Sequence, residues 1–365
     1  MKIGLITNNF DINNAGTGRY TQELMTRLKS LDKENDYIFI HTNKKSYGED
    51  EYKLPFFTSI PKKLISGTFL LPIICKKASI NVLHDPGQIS PFFFGYGKTK
   101  KILSILDLSQ IIYPENTTRL GSIYSKLLPS VCKRSDFIIT ISESTKNDLM
   151  KYYDIPPSKI KVIYLGADEN YKVLPKTKIN FIYDKYKIPK DYILYVGTLE
   201  PRKNIPNLLR AYAKIKSDIN HKLVITGKKG WKYKEIYDTI DELKLENDVI
   251  FTGYVEEEDL PSIYNGASLF VYPSYYEGFG LPPLEAMSCG CPVITSNTSS
   301  IPEVVGDAGI MINPNDVDEL AKQIKRVLSD KKLRENMKQK GLKQSKKFSW
   351  EKCAREHLEV YEEVI

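Results

Sequence analysis

Short apolar runs that stop at Gly, Ser or Asn alternate along this chain with longer segments whose apolar positions recur at helical spacing. Such alternation predicts βαβ units wound around parallel sheets. In the first half the strands fall at Lys2–Thr7, Tyr37–His41, Val82–His84, Lys101–Leu106, Phe137–Ile141 and Lys161–Leu165. In the second half they fall at Tyr192–Val196, Lys222–Thr226, Val249–Thr252, Leu269–Tyr272, Pro292–Thr295 and Gly309–Ile312, with helices over Ile205–Ile215 and Val317–Leu328. Two sets of six strands imply an α/β chain with two similar doubly wound domains facing across a cleft. After residue 172 a Lys-, Tyr- and Pro-rich stretch shows no strand pattern until Tyr192. The domains are therefore set at 1–172 and 192–347, with a linker over 173–191.

Composition narrows the class. A length of 365 residues suits two domains, and 41% hydrophobic with 27% charged residues suits two ordinary cores. The charge, 53 − 45 = +8, is spread along the chain, whereas a nucleic-acid binder gathers it on one face; no nucleic-acid partner is expected. Cys75, Cys132, Cys289, Cys291 and Cys353 lack any C-x-x-C spacing and read as reduced thiols of a cytoplasmic protein. The start, MKIGLITNNF, is too brief in its apolar part for a signal peptide. No run reaches the roughly 18 apolar residues of a membrane span. The longest, Leu64 to Cys75, holds Ser66, Gly67, Thr68 and Pro72 and is flanked by Lys62, Lys63, Lys76 and Lys77. It reads either as a buried helix or as a peripheral contact with the inner face of a membrane.

Ligands in doubly wound sheets bind where strands end and helices begin, and four loops there carry suitable residues. In the first, Gly16-Thr17-Gly18-Arg19 precedes an amphipathic helix beginning near Tyr20, so backbone N–H groups could approach a phosphate. Thr21 replaces the third glycine of G-x-G-x-x-G, which speaks against a dinucleotide fingerprint, and Phe92 removes Gly97-Lys98-Thr99 from the phosphate-loop class. The second loop runs from Gly197 to Asn204. Its Arg202 and Lys203 offer a planar fork and a point charge to a diphosphate.

In the third loop, Gly278, Gly280 and the prolines 282 and 283 keep Glu277 out of the helix and put Glu285 in its opening turns. One carboxylate can then take sugar hydroxyls and the other a ribose diol, while N–H groups of Gly278, Phe279, Gly280 and Leu281 face phosphate oxygens. In the fourth, Gly253-Tyr254-Val255 can read a base edge or simply turn the chain. Metal chemistry is not expected: Asp316-Val317-Asp318 reads as a helix cap, and His41, His84, His221 and His357 lack ligand spacing.

Together these loops resemble the retaining glycosyltransferases of family four, with the GT-B fold, over essentially the whole chain. The most specific match is E-x7-E, from Glu277 to Glu285; Glu200-Pro201-Arg202-Lys203-Asn204, Gly16-Thr17-Gly18-Arg19-Tyr20 and Phe348-Ser349-Trp350-Glu351 follow the family's order. The resemblance implies an N-terminal acceptor domain, a C-terminal nucleotide-sugar domain, and a last helix over 348–365 that crosses back to the N-terminal domain. It implies sugar transfer from a nucleotide donor to an acceptor hydroxyl with retention and without an obligatory metal or other cofactor. Residues matching Arg202 and Lys203 hold the diphosphate, Gly16 approaches it by backbone, Glu277 faces the donor sugar and Glu285 binds the ribose.

One position departs from the family: where many members have His-Asp-Leu-Ser, this chain has Leu106-Asp107-Leu108-Ser109. The histidine's role is not carried over, and Asp107 is left as an acceptor contact. His84, in Leu83-His84-Asp85-Pro86, matches another family histidine and reads as an acceptor-side residue or as a core histidine. Likeness to mannosyltransferases points to GDP-mannose as donor and to surface polysaccharide, lipopolysaccharide or a related glycan, free or lipid-linked, as acceptor. The expected chemistry is same-face attack with the leaving phosphate taking the acceptor proton; the alternative is a covalent route through Glu277. Two other functions on this fold are a nucleotide-sugar epimerase and a non-catalytic nucleotide-sugar-binding subunit.

Overall fold

The computed structural model of the chain describes residues 1–7, 15–41, 50–54, 65–87, 90, 92, 94–114 and 119–365. These form two units, one of residues 1–165 with 350–365 and one of residues 166–349.

The first unit is a seven-stranded, all-parallel sheet in the order β3-β2-β1-β4-β5-β6-β7. Its strands are β1 (Lys2–Ile6), β2 (Asp36–His41), β3 (Glu51–Lys53), β4 (Val82–Asp85), β5 (Lys100–Ile105), β6 (Phe137–Thr140) and β7 (Ile160–Val162). The second unit repeats the plan with six parallel strands in the order β10-β9-β8-β11-β12-β13. These are β8 (Tyr192–Val196), β9 (Lys222–Thr226), β10 (Val249–Gly253), β11 (Leu269–Tyr272), β12 (Val293–Ser296) and β13 (Ile310–Ile312). Helices on both faces bury the central strands throughout, which is why Tyr192–Val196 and Leu269–Tyr272 are continuous apolar runs. In each sheet the strand order reverses beside the first strand, between β1 and β4 and between β8 and β11. Loops diverge at such a point and leave room for a ligand.

Each of the twelve expected strands is present, the largest end difference being Lys161–Leu165, observed as Ile160–Val162. Three expectations are corrected. β3 went unread, because Glu-Tyr-Lys on a sheet edge has neither an apolar run nor two buried faces. The stretch 173–191 belongs to the second unit and holds helices Lys176–Ile179 and Phe181–Lys185, anchored by buried Ile179 and Ile182. The helix expected near Tyr20 starts at Ala15, so Gly16 and Gly18 lie inside its first turns. The final helix, Trp350–Glu363, packs against Ala15–Leu31 within the first unit. No helix among the described residues is long and apolar enough to cross a membrane.

Candidate functional site

The loops that leave β8 and β11 flank the second unit's reversal point, and they bring Glu200, Arg202, Lys203 and Glu277 together. After β8, Pro201–Lys203 makes one 3-10 turn, and Asn204 takes a left-handed conformation before helix Ile205–Ile215 starts. Asn204 is fixed by donating to the carbonyls of Pro273 (3.0 Å) and Pro314 (2.7 Å). Lys203 is thereby turned inward. After β11, Ser274 to Gly280 runs as a loop, and Gly280 (φ 109°) opens helix Leu281–Ser288 in a conformation that a side chain would strain.

Glu277 is the centre of the cluster. Its Oε1 accepts from Lys203 Nζ (2.6 Å), Ser274 Oγ (2.6 Å) and Tyr272 OH (2.9 Å). Its Oε2 accepts from Arg202 Nη1 (3.1 Å), which also donates to the Tyr276 carbonyl (2.8 Å). The other edge of the same guanidinium meets Glu200, Nε to Oε1 at 2.7 Å. Ser299 and Ser300 pin the Glu277 backbone from the loop after β12: the Glu277 N–H donates to Ser299 Oγ, and Ser300 Oγ donates to the Glu277 carbonyl.

Burial alone would raise the carboxyl of Glu277. Lys203 and Arg202, with the Ser274 hydroxyl, outweigh it and hold the group at about 2. Burial and the nearby Arg202 push the Lys203 ammonium down, while Glu277 pulls it back up. Two carboxylates and two cations thus stand with formal charges balanced, and the Lys203 side chain is 8% exposed against 21% for Arg202. Removing either partner from such a buried pair leaves an uncompensated charge. An anion presented to this cluster would meet a fixed guanidinium first.

The remaining expected residues fall in several places. Glu285 is 3% exposed and accepts from Tyr264 OH at 2.8 Å, within the same unit. Gly278, Phe279 and Gly280 are buried, and Phe279 packs edge-on against Phe348 at 5.8 Å. Leu281 opens the helix, half-buried. Gly197 directly follows β8, and a Cβ on Gly227 would lie 2.0 Å from its carbonyl oxygen, so the loops after β8 and β9 touch backbone to backbone. After β10, Val255 is buried, whereas Tyr254 is 53% exposed with Lys228 Nζ 4.2 Å from its ring centre.

In the first unit, Gly16 is exposed with nothing within 4 Å of where a Cβ would stand; residues 8–14 of that loop lie outside the described residues. Leu106 is buried. Asp107 is half-buried, and its Oδ1 accepts from the backbone N–H (3.0 Å) and hydroxyl (2.7 Å) of Ser109.

His84 takes the core alternative, not the acceptor side. It is fully buried, with Nδ1 paired to Tyr361 OH (2.6 Å) and Nε2 to Ser104 Oγ (2.8 Å). Not legible in the sequence are Tyr272, Ser274 and Ser299 as partners of Glu277, and Glu200 as the partner of Arg202. The available signal is a tyrosine closing an apolar strand two residues before Ser274, and a glutamate two residues before Arg202.

Comparison with known proteins agrees with this architecture. The family profile "Glycosyltransferase Family 4" matches residues 15–171, and "Glycosyl transferases group 1" matches residues 178–344. O-antigen chain mannosyltransferase B of Escherichia coli is 35% identical over 284 residues, 77% of this chain and 74% of that protein. Among solved structures, sucrose-phosphate synthase from Thermosynechococcus elongatus aligns over 100% of this chain and 99% of its own at a TM-score of 0.82 and 20% identity. Anabaena HepE in complex with UDP and glucose aligns over 100% of both chains at 0.78 and 18% identity. These two show the GT-B fold. On the two profiles and the mannosyltransferase relative, the chain belongs to the glycosyltransferases of family four and group 1 and is a glycosyltransferase.

Proposed function

We propose that this enzyme moves a hexose, specifically mannose from GDP-mannose, to a hydroxyl of a surface polysaccharide, lipopolysaccharide or related lipid-linked glycan, with retention at the anomeric carbon. The observation that carries the reading is the Glu200–Arg202–Lys203–Glu277 cluster at the reversal point of the second sheet. The donor sugar and glycan class rest on the Escherichia coli relative, which is a mannosyltransferase of an O-antigen chain.

In this reading the acceptor oxygen attacks the anomeric carbon on the face the diphosphate leaves. The bond from that carbon to the β-phosphate oxygen breaks, its electron pair stays on the phosphate, and that oxygen takes the acceptor proton. Negative charge therefore grows on the phosphate during the step, and Arg202 and Lys203 stabilise it more in the transition state than before. The two cations do this without an obligatory metal.

Glu277, ionised well below any working pH, cannot serve as the proton donor; it accepts from hydroxyls of the donor sugar and keeps Lys203 charged and aimed. Glu285 takes the ribose diol, and backbone N–H groups from Gly278 to Leu281 take phosphate oxygens. The Gly197 turn lets the diphosphate approach the backbone, Tyr254 and Val255 line the base, and Asp107 contacts the acceptor. The direct test is a melting-temperature screen of GDP- and UDP-sugars followed by product analysis with the preferred donor. Stabilisation by GDP-mannose and an α-linked product are expected; stabilisation by UDP alone would overturn the donor.

A further inference from the structure

One polar group beside the ionic cluster is left over. Tyr195, in β8, is 0% exposed, and among the described residues nothing makes a hydrogen bond with its hydroxyl. Its ring stacks on Tyr272 at 5.8 Å and 20°, and Tyr272 stacks in turn on Phe270 at 5.7 Å and 20°, so the phenol is held in one orientation. Tyr272 spends its hydroxyl on Glu277; Tyr195 does not. Burial raises the Tyr195 hydroxyl well above the ordinary tyrosine value, the carboxylates of Glu277 and Glu200 raise it further, and Arg202 opposes them. The group therefore keeps its proton at any working pH and stands within the field of three members of the cluster. A buried O–H without an acceptor is destabilising, and a phenylalanine would fill the same space without that penalty. Packing alone does not account for the hydroxyl.

In front of it lies Gly197. A Cβ built on Gly197 would stand 2.8 Å from the Tyr195 oxygen, and the next nearest atoms, at 3.4 and 3.6 Å, are carbons of the same ring. The absent side chain thus leaves room at hydrogen-bond distance from the hydroxyl, and any residue other than glycine would fill it. The backbone around this room is fixed, because the Gly197 N–H donates to the Thr226 carbonyl and the Gly227 N–H to the Gly253 carbonyl, each at 2.9 Å. Gly197 itself is half-buried, so the room lies at the loop and not in the core. A group that enters it must accept a hydrogen bond. Diphosphate oxygens only accept, their charge strengthens the bond from a hydroxyl, and Arg202 and Lys203 on the same loop favour the same anion.

We infer that the Tyr195 hydroxyl is a further donor-site residue, donating a hydrogen bond to a diphosphate oxygen of the nucleotide across Gly197. This deepens the nucleotide-sugar reading, on which it rests.

The test is calorimetric titration of the full chain and of its Tyr195→Phe variant with GDP and with UDP. For whichever nucleotide the unaltered chain prefers, the variant should bind about tenfold or more weakly, the size of a lost hydrogen bond to a charged group. The melting temperature of the free variant should stay the same or rise, since a buried group without a partner has been removed. A smaller change in affinity would overturn the inference and leave the nucleotide-sugar reading standing, whereas an unaltered chain that binds neither GDP nor UDP would overturn both. A lower melting temperature of the free variant would also overturn it, because the hydroxyl would then be holding the fold together through a bound water.

Discussion

The two sheets reverse strand order at equivalent places, β1/β4 and β8/β11, and both bury a polar network there. At β8/β11 the network is ionic, built from Glu200, Arg202, Lys203 and Glu277. Around β1/β4 it is neutral, and its direction follows from one fixed end. The Cys353 carbonyl can only accept, so His357 Nδ1 carries the proton (2.7 Å) and Nε2 accepts from Tyr20 OH (2.7 Å). Tyr20 oxygen then accepts from Ser104 (2.8 Å), Ser104 from His84 Nε2, and His84 Nδ1 from Tyr361 OH.

Every proton in this relay has one destination, and it joins helices Ala15–Leu31 and Trp350–Glu363 to β4 and β5. A satisfied neutral relay specifies packing. An ionic cluster whose carboxylates could exchange with another anion's oxygens is suited to a ligand. The same topology therefore holds the final helix in one unit and a charged centre in the other.

The strongest way to break the comparison is to remove charge from the ionic side. Lys203→Ala takes away a transition-state cation and strands Glu277. A loss in kcat of about 10²- to 10³-fold is expected, with second-unit stability lowered by roughly 3–5 kcal/mol. Steady-state kinetics at a temperature where the variant stays folded separates the two effects. A fall of less than about threefold for Lys203→Ala or Arg202→Ala, under ~0.7 kcal/mol, would contradict the charge-stabilising role.

Acid should next distinguish the networks by order of failure. Burial holds His357 down at about 4 and His84 below its ordinary value, the latter also repelled by His357. Unfolded histidines bind protons near 6.5 while the folded ones do not, so the relay's contribution is complete above that pH and declines as pH falls toward 4. For His357 alone this is on the order of 3 kcal/mol. Glu277 behaves the same way lower down: its contribution is complete above about 4.5 and declines toward 2. The first unit should therefore loosen before the second. The chain has two tryptophans, Trp231 in the second unit and buried Trp350, 6.4 Å from Tyr20, in the first. In a Trp231→Phe chain, Trp350 fluorescence should change above pH 4. A change confined to pH below 4 would show that the histidines are not held neutral.

Smaller again is the effect of opening the relay at its end. Tyr361→Phe removes the donor to His84 and should lower first-unit stability by about 1–3 kcal/mol. The melting shift that GDP-mannose produces should not change, since no member of the relay belongs to the ionic cluster.

How far each network could be read in advance differs for a physical reason. The ionic one sits in loops whose local chemistry is visible: glycines and prolines that forbid a helix at Glu277, and adjacent cations at a strand end. The sequence could not reveal that Tyr272 and Ser274 would converge on the same carboxylate oxygen as Lys203, because β8 and β11 meet only after the chain has wound through two intervening strands. The relay joins His84 to Tyr361 and Tyr20 to His357 across separations of 277 and 337 residues. Nothing local distinguishes a histidine so tied from one at an acceptor site. Edge strand Glu51–Lys53 escaped for the opposite reason, having too little burial to impose a pattern.

The smallest effect is expected at Asp107, which lies at the carboxyl end of β5 on the first unit. Its Oδ1 serves the Ser109 turn, a task that an asparagine carbonyl performs equally well. Asp107→Asn therefore keeps the loop and changes only the charge and the accepting capacity of the second oxygen. If that oxygen takes a hydrogen bond from the acceptor, kcat/KM measured at varied acceptor should fall by about threefold or more, while the melting temperature and the response to donor stay as they were. If kcat/KM does not change, the carboxylate is a loop former. The first unit's contribution to the acceptor would then have to come from other residues, since Leu106 is buried and His84 is spent on the final helix.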